Sequence, residues 1–206
     1  MSKHKMKIAA VVFILLAFWI PPAASAQSLD TDSLLPRFQP TSKSIVPDSL
    51  FLKAQRYIAS RRAKFIGKPA PIVVTTTIAG DPWRLTDQKG KIVVVDFWAT
   101  WCIGCRPTTE AIEQLREKYK DYKDVLFVGV ALDEKAEPVI NFCRTNNMAW
   151  IQLFEPGKMT RNGFAKAFDV WTIPEVCIID KNGIVASVFG MSKEEIDRTI
   201  IELLGR

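Results

Sequence analysis

Two cysteines separated by two residues, Cys102 and Cys105, stand between two different sequence patterns. The residues before them (91–99) form a near-continuous apolar run, which is typical of a strand buried in a parallel sheet. The residues after them (103–119) carry apolar side chains at helical spacing. The sequence therefore predicts that the pair lies where a buried strand ends and a helix begins.

This position favours thiol chemistry. A spacing of three residues puts both sulfur atoms on one face of the helix, close enough to form a disulfide. Unpaired N–H groups and a partial positive charge at the helix N-terminus stabilise a thiolate over a thiol. We therefore expect the pKa of Cys102 to lie well below that of an ordinary thiol. Cys102 would then attack disulfides, and Cys105 would resolve the mixed disulfide that forms.

Other uses of a cysteine pair are disfavoured or stay open. A zinc site needs about four ligands, and the remaining cysteines, Cys143 and Cys177, are single and distant in the sequence. Attachment of a c-type haem requires a histidine where Arg106 stands. A static disulfide and a pair that carries Cu(I) stay open as alternatives, the latter because thiolates are soft ligands. We expect no bound cofactor and no metal.

The N-terminal residues predict export. Residues 1–26 combine a basic start, an apolar stretch at 8–20 and a small-residue end, which is the pattern of a secretory signal cleaved after Ala26. The apolar stretch is short for a membrane span, which needs about 20 residues, and an uncleaved anchor is the alternative. We therefore expect an exported protein in the periplasm or another extracytoplasmic compartment.

Removal of this signal changes the charge and the histidine content. The whole chain carries a net charge of +6, and the signal holds three lysines and no acidic residue. The weakly basic remainder argues against nucleic acid as a partner. The only histidine of the chain, His4, lies within the signal. The exported protein therefore lacks the histidine that Ser-His-Asp and Cys-His hydrolases need.

The rest of the chain divides into two regions. Residues 27–66 predict a linker followed by an amphipathic helix from about Asp48, which packs on its own domain or, as the alternative, faces a partner or a membrane. Residues 67–206 alternate strand and helix patterns, which predicts an α/β domain with a parallel sheet that ends in an antiparallel hairpin. A separate hairpin around Gly80-Asp81 comes first. The later strands are expected at 91–99, 125–132, 150–154, 175–180 and 184–190, and the helices at 103–119, 135–147, 160–169 and 192–205.

The segment DFWATWCIGCR (96–106) resembles the thioredoxin superfamily, and residues 67–206 are similar to its exported TlpA/ResA branch. The segments IGKPAP (66–71) and WTIPEVCIIDKNGIV (171–185) match the entry and the cis-proline region of that branch. The resemblance implies a thioredoxin-like α/β fold, with a central mixed sheet flanked by helices, an N-terminal hairpin and a helix–strand insertion. The Pro-Glu step and the WATWC run are similar to the cytochrome c maturation reductases.

Carried over residue by residue, the resemblance implies that Pro174 is a cis-proline facing the cysteines. The backbone of Ile173 would then pair with an extended substrate segment. Asp96, six residues before Cys102, is expected to be buried beneath the pair, where a raised pKa would let it accept the proton of Cys105. A hydrogen-bonded polar residue at a strand end is the alternative for Asp96.

Three further residues complete the predicted substrate-binding surface. Trp101 is expected as an exposed aromatic platform and Trp171 as its extension, whereas Trp98 is equally consistent with the core. Glu175 follows the cis-proline and is expected to border the site and tune the thiol pKa. A solvated residue at the sheet edge is the alternative for Glu175.

The chain departs from the family around the cysteines. The dipeptide between them is Ile103-Gly104, which leaves the redox potential open. Pro107 is expected to kink the helix that follows. Cys143 and Cys177 are expected to be buried free thiols, with a second disulfide or a regulatory thiol as the alternative.

The function that the resemblance implies is thiol–disulfide exchange outside the cytoplasm, in the direction of reduction. The implied partners are protein disulfide substrates, such as apocytochrome c or other exported thiol proteins, and a membrane thiol donor that supplies electrons. A disulfide oxidant or isomerase is the alternative within the same chemistry. A Cu(I) metallochaperone is the alternative outside it.

Overall fold

The computed structural model describes residues 48–156, 163–188 and 192–205. Its helices are α1 (Asp48–Phe65), α2 (Arg106–Lys118), α3 (Ala136–Thr145), α4 (Phe164–Ala167) and α5 (Lys193–Leu204). Its strands are β1 (Val74–Thr77), β2 (Pro82–Arg84), β3 (Ile92–Trp98), β4 (Val125–Ala131), β5 (Ile151–Phe154), β6 (Glu175–Ile179) and β7 (Val185–Val188). Short 3₁₀ turns occupy Leu85–Gln88 and Ile103–Cys105.

The described strands form one mixed sheet in the order β2-β1-β5-β4-β3-β6-β7. β3 runs parallel to β4, and β4 runs parallel to β5. The antiparallel hairpin β6-β7 closes one side of the sheet, and the antiparallel hairpin β1-β2 closes the other. Every residue of β3 is buried, as its apolar run predicts for a central strand. The predicted thioredoxin-like α/β fold, with its N-terminal hairpin and its helix–strand insertion, is therefore confirmed.

Side-chain alternation along β3 divides the core into two halves. The odd-numbered residues of 93–97 pack with residues of α1 and α4. The even-numbered positions 92, 94 and 98 pack with residues of α2, α3 and α5. Cys102 and Cys105 belong to this second half, and we call its side of the sheet the dithiol face.

α1 packs on the sheet through its C-terminal half. Ile58 and Phe65 contact the half of the core that includes α4, and Phe65 is buried. Gly67 follows the helix with a φ of +75°, a conformation that glycine adopts without steric cost. Leu52, in the N-terminal half of the helix, is exposed. The interpretation that this helix packs on its own domain is therefore confirmed.

The starts of two helices test the sequence analysis. At α5, the Ser192 side chain accepts a hydrogen bond from the Glu195 N–H, and the Glu195 side chain accepts one from the Ser192 N–H. This capping box was expected from the sequence. The prediction that Pro107 kinks α2 is wrong, because α2 begins at Arg106. Pro107 therefore lies in the first turn, where an N–H group has no partner within the helix in any case.

Some predicted segments lie partly or wholly outside the described residues. The helix predicted at 160–169 is observed as α4, and the strand predicted at 184–190 is observed as β7. The predicted signal at 1–26 and the linker after it lie outside the described residues. Within the described ranges, no helix combines the length and the apolar character that crossing a bilayer requires.

Candidate active site

The cysteine pair lies at the junction between β3 and α2. Cys102 and Cys105 form a disulfide with an S–S distance of 2.11 Å and a Cα–Cα distance of 5.3 Å. The Cys105 N–H donates to the Cys102 carbonyl at 3.1 Å, and the 3₁₀ turn that contains Cys105 continues directly into α2. The position that the sequence predicted for the pair is therefore confirmed.

The two cysteines differ in accessibility. Cys102 is 9% exposed and Cys105 is 2% exposed, so Cys102 is the one more open to a partner. The first N–H groups of the turn and of α2 lie at the end where Cys102 stands, and their partial positive charge favours a thiolate. Arg106, an exposed residue directly after the pair, adds a full positive charge. The geometry therefore offers one outer sulfur in an electropositive setting and one inner sulfur behind it.

The cis-proline expected from the resemblance is present. The peptide bond between Ile173 and Pro174 is cis. A Cβ atom built on Gly104 would lie 3.8 Å from the Cδ atom of Pro174, so Pro174 stands against the turn between the two cysteines. Ile173 is half-buried and packs against both halves of the core, which holds the chain in place beside the disulfide.

Asp96 is buried in the middle of the sheet. It lies on β3 between the positions of Val94 and Trp98, hence on the dithiol face, and it is 1% exposed. Burial raises the pKa of Asp96 to about 7, because the ionised carboxylate loses its hydration there. Neither carboxylate oxygen has a hydrogen-bond partner among the described residues. The predicted burial of Asp96 is confirmed, its position lies within β3 and not at a strand end as the alternative had it, and its part in proton transfer stays a prediction.

Glu175 does not have the surroundings that the sequence suggested. Its side chain is 2% exposed, and its two oxygens accept hydrogen bonds of 2.8 Å each from the Arg61 guanidinium. Along β6, Glu175 alternates in step with Cys177 and therefore points to the half of the core opposite the dithiol face. Burial raises the pKa of Glu175, and Arg61 opposes that rise. The interpretation as a solvated edge residue is wrong, and the side chain offers no exposed surface to a substrate.

Arg61 was not singled out from the sequence. Besides its two bonds to Glu175, its guanidinium donates to the backbone carbonyl of Phe168. A signal was present, because Arg61 follows Tyr57 and precedes Phe65 by four residues each and so falls on the apolar face of α1. An arginine at such a position is buried only when it has a partner. The sequence alone does not say that the partner stands 114 residues later.

Exposed apolar side chains stand next to the cysteine pair and shortly before the cis-proline in the sequence. Trp101 is 60% exposed and Trp171 is 55% exposed, as predicted for both. The Trp171 Nε1–H donates to the Asp169 carboxylate at 2.9 Å. Ile103, named from the sequence only as part of the dipeptide between the cysteines, is 77% exposed directly after Cys102. Trp98 is buried in the core instead.

The other cysteines are buried free thiols, as predicted. Burial raises the pKa of Cys143 to about 11 and the pKa of Cys177 well above that of an ordinary thiol. Both thiols therefore stay protonated at neutral pH, and protonated buried thiols are inert. In the ranges that the structure describes, no cluster of three or more potential metal ligands occurs.

Comparison with known proteins places this geometry in a family. A family model described as Thioredoxin-like matches residues 90–185. The chain is 30% identical over 137 residues to the thioredoxin-like protein YneN of Bacillus subtilis, an alignment that covers 65% of this chain and 78% of the relative. This chain belongs to the thioredoxin superfamily. Within the superfamily it is ResA-like, because it is 30% identical over 149 residues to the thiol-disulfide oxidoreductase ResA of Bacillus cereus, with 71% of this chain and 83% of that relative covered.

Solved structures agree with this assignment. A thiol:disulfide interchange protein from Chlorobium tepidum matches with a TM-score of 0.57 and 28% identity, over 67% of this chain and 97% of that structure. The ResA-like protein is therefore a thiol–disulfide oxidoreductase, and Cys102 and Cys105 form its redox-active pair.

Proposed function

We propose that this ResA-like oxidoreductase reduces disulfides of protein substrates outside the cytoplasm. The observation that carries the proposal is the placement of the pair: the outer sulfur stands at a helix start, the inner sulfur lies one turn behind it, and Pro174 lies against the turn between them. Such an arrangement gives a substrate access to one sulfur and keeps the second in reserve.

The proposed reaction passes two electrons from the enzyme dithiol to the substrate disulfide, and the two protons that the substrate thiols take up come from Cys105 and from solvent. The Cys102 thiolate attacks one substrate sulfur, forms a mixed disulfide and releases the other substrate sulfur, which takes up a proton. Cys105 then gives its proton to Asp96, and its thiolate attacks the sulfur of Cys102. The Cys102–Cys105 disulfide forms, the mixed disulfide breaks, and the second substrate sulfur leaves as a thiolate that is protonated in turn.

Two features are proposed to bind the substrate. The exposed side chains of Trp101 and Ile103, next to Cys102 in the sequence, and of Trp171, three residues before Pro174, are proposed to offer apolar contact area to the substrate. The backbone of Ile173, next to the cis-proline, is proposed to pair with an extended segment of the substrate. Backbone pairing reads no particular side chain, which suits an enzyme that accepts more than one protein.

The location and the partners follow from the N-terminal pattern. A secretory signal at 1–26 would separate the enzyme from the cytosolic thiol pool, so its electrons must come from a donor that bridges the membrane. We propose a membrane thiol protein as that donor. The proposed substrates are exported thiol proteins, with apocytochrome c as the first to be tested because of the Pro-Glu step and the WATWC run.

The direction of electron flow is tested by equilibrating the protein with reduced and oxidised glutathione. A reductase is expected to have a potential near that of thioredoxin, about −270 mV, whereas disulfide isomerases and oxidants lie at about −180 to −120 mV. Trp101 beside Cys102 gives a fluorescence signal for the redox state. The Cys143→Ala variant is the control and should leave the potential unchanged. A potential in the isomerase or oxidant range would contradict the proposed direction.

A further inference from the structure

Three residues on neighbouring strands form one row across the dithiol face. Asp96 on β3 is in register with Gly129 on β4, and Gly129 is in register with Gln152 on β5. Residues in register on adjacent strands project from the same side of a sheet. Gln152 therefore shares the dithiol face with Asp96, and only a glycine stands between them.

The Gln152 side chain crosses the glycine towards β3. A Cβ atom built on Gly129 would collide with the Gln152 carboxamide, so the carboxamide occupies the space that any larger residue would fill. At its far end, the Gln152 Oε1 accepts a hydrogen bond of 3.1 Å from the Trp98 Nε1–H. Because the indole nitrogen can only donate, this bond identifies the oxygen of the carboxamide. The amide nitrogen is the remaining polar atom of Gln152.

The amide nitrogen of Gln152 and the carboxylate of Asp96 are complementary hydrogen-bonding groups. Gln152 is 3% exposed and Asp96 is 1% exposed. Neither the Nε2 atom of Gln152 nor either oxygen of Asp96 has a hydrogen-bond partner among the described residues. Buried polar groups in proteins are nearly always paired, with protein atoms or with ordered water. Here one group offers only donors and the other, once ionised, offers only acceptors.

We propose that Gln152 is a positioning residue for proton transfer, which donates its Nε2–H through one buried water to the ionised Asp96 carboxylate. This inference rests on the proposed role of Asp96 as the acceptor of the Cys105 proton. A donor to the ionised form stabilises that form. Gln152 would therefore keep Asp96 ionised at the pH at which the protein works, and Gly129 gives the carboxamide the room that this contact needs.

Few other ionisable groups share this environment. The titratable side chains in the same half of the core are those of the cysteine pair, Cys143 on α3 and Tyr119 at the end of α2, together with the buried Asp133 beyond β4, whose charge acts on the Cys143 thiol. Val176 of β6 is in register with Asp96 on its other side, and the residues of α5 in this half are apolar. Burial is the cause that raises the pKa of Asp96. We therefore expect the loss of a single hydrogen-bond donor to change the pKa of Asp96 measurably.

The test is the Gln152→Met variant, which keeps the side-chain length and removes the N–H donor. We expect carbon-13 NMR of the reduced protein to show the pKa of Asp96 raised by about one unit or more, a tenfold change in proton affinity. Because Asp96 becomes a base only above its pKa, the pH at which the reduction rate rises should shift upward by the same amount. In an Asp96→Asn background, Gln152→Met should leave the pH profile unchanged.

A second variant covers the case in which methionine disturbs the core. Gly129→Ala adds a methyl group that must displace the carboxamide, and it should raise the pKa of Asp96 in the same direction. An unchanged pKa of Asp96 in both folded variants would overturn the inference. A raised pKa together with a pH profile that Asp96→Asn does not alter would uphold the hydrogen bond and overturn proton transfer through Asp96.

Discussion

The Cys102→Ser variant is expected to lose disulfide reduction by more than about a thousandfold, because no other thiolate in the described structure replaces the outer sulfur. The Cys105→Ser variant should fail one step later. Its Cys102 thiolate still attacks the substrate, but the serine hydroxyl does not displace it. The variant should therefore accumulate as a mixed disulfide through Cys102, which is the more exposed cysteine of the pair.

Both outcomes are measured with one substrate. The reduced variants are incubated with insulin whose disulfides are intact. The products are separated without reductant and digested, and mass spectrometry locates the intermolecular disulfide. The Cys143→Ser variant is the matched control and should reduce insulin at the unaltered rate, because burial keeps the Cys143 thiol protonated and unreactive. Recovery of the substrate on Cys143, or full activity in Cys102→Ser, would contradict the assigned order of the two sulfurs.

The Arg61→Leu variant should lose about 3–5 kcal/mol of unfolding free energy at neutral pH. The substitution leaves the carboxylate of Glu175, now 2% exposed, buried without its counter-charge. It also removes the donor to the Phe168 carbonyl. Urea unfolding measures the loss. Lys64→Ala is the matched control on the same helix: its ion pair with Asp169 is formed by a lysine that is 58% exposed, and such surface pairs contribute at most about 1 kcal/mol.

The pH dependence of this loss has a definite sign. Burial already raises the folded-state pKa of Glu175 above its usual value, and removal of Arg61 raises it further. The free-energy cost of burying Glu175 in the variant is then greatest above the folded-state pKa, where Glu175 is ionised in both the folded and the unfolded chain. The cost falls as the pH drops through the folded pKa and the side chain takes up a proton. The loss at neutral pH should therefore exceed the loss near pH 4, and an Arg61→Leu/Glu175→Leu double variant should recover much of it. Equal losses for Arg61→Leu and Lys64→Ala would contradict the buried pair.

The sequence predicted the buried strands of the sheet, but it did not predict the contact between Arg61 and Glu175. The buried strands were visible because β3 and β4 are apolar at nearly every position. The cis-proline was accessible only through resemblance, since Ile173 and Pro174 alone are also compatible with a trans turn. The bond between Arg61 and Glu175 joins residues 114 positions apart, and no local pattern encodes such a pairing.

The roles of polar residues within the sheet also could not be predicted from local sequence patterns. Gln152 is a polar residue within the apolar strand β5. Its role could not be predicted from the sequence, because it depends on the register that places Gln152 in one row with Gly129 and Asp96. The predicted kink at Pro107 was wrong because the first residue of α2 was not predicted correctly. The effect of Pro107 depends on whether α2 begins at Arg106 or several residues earlier, and helix starts are uncertain by a residue or two in any reading of a sequence.

The chemistry of the site depends on a Cys102 that is held as a thiolate at the start of a helix, with Cys105 behind it. The most direct test is the rate at which the reduced protein reacts with iodoacetamide as a function of pH, with alkylation of Cys102 followed by mass spectrometry. The account predicts that Cys102 is half-ionised below neutral pH, because the helix start and Arg106 favour the anion. A Cys102 that stays protonated well above neutrality, as a free cysteine does, would contradict it.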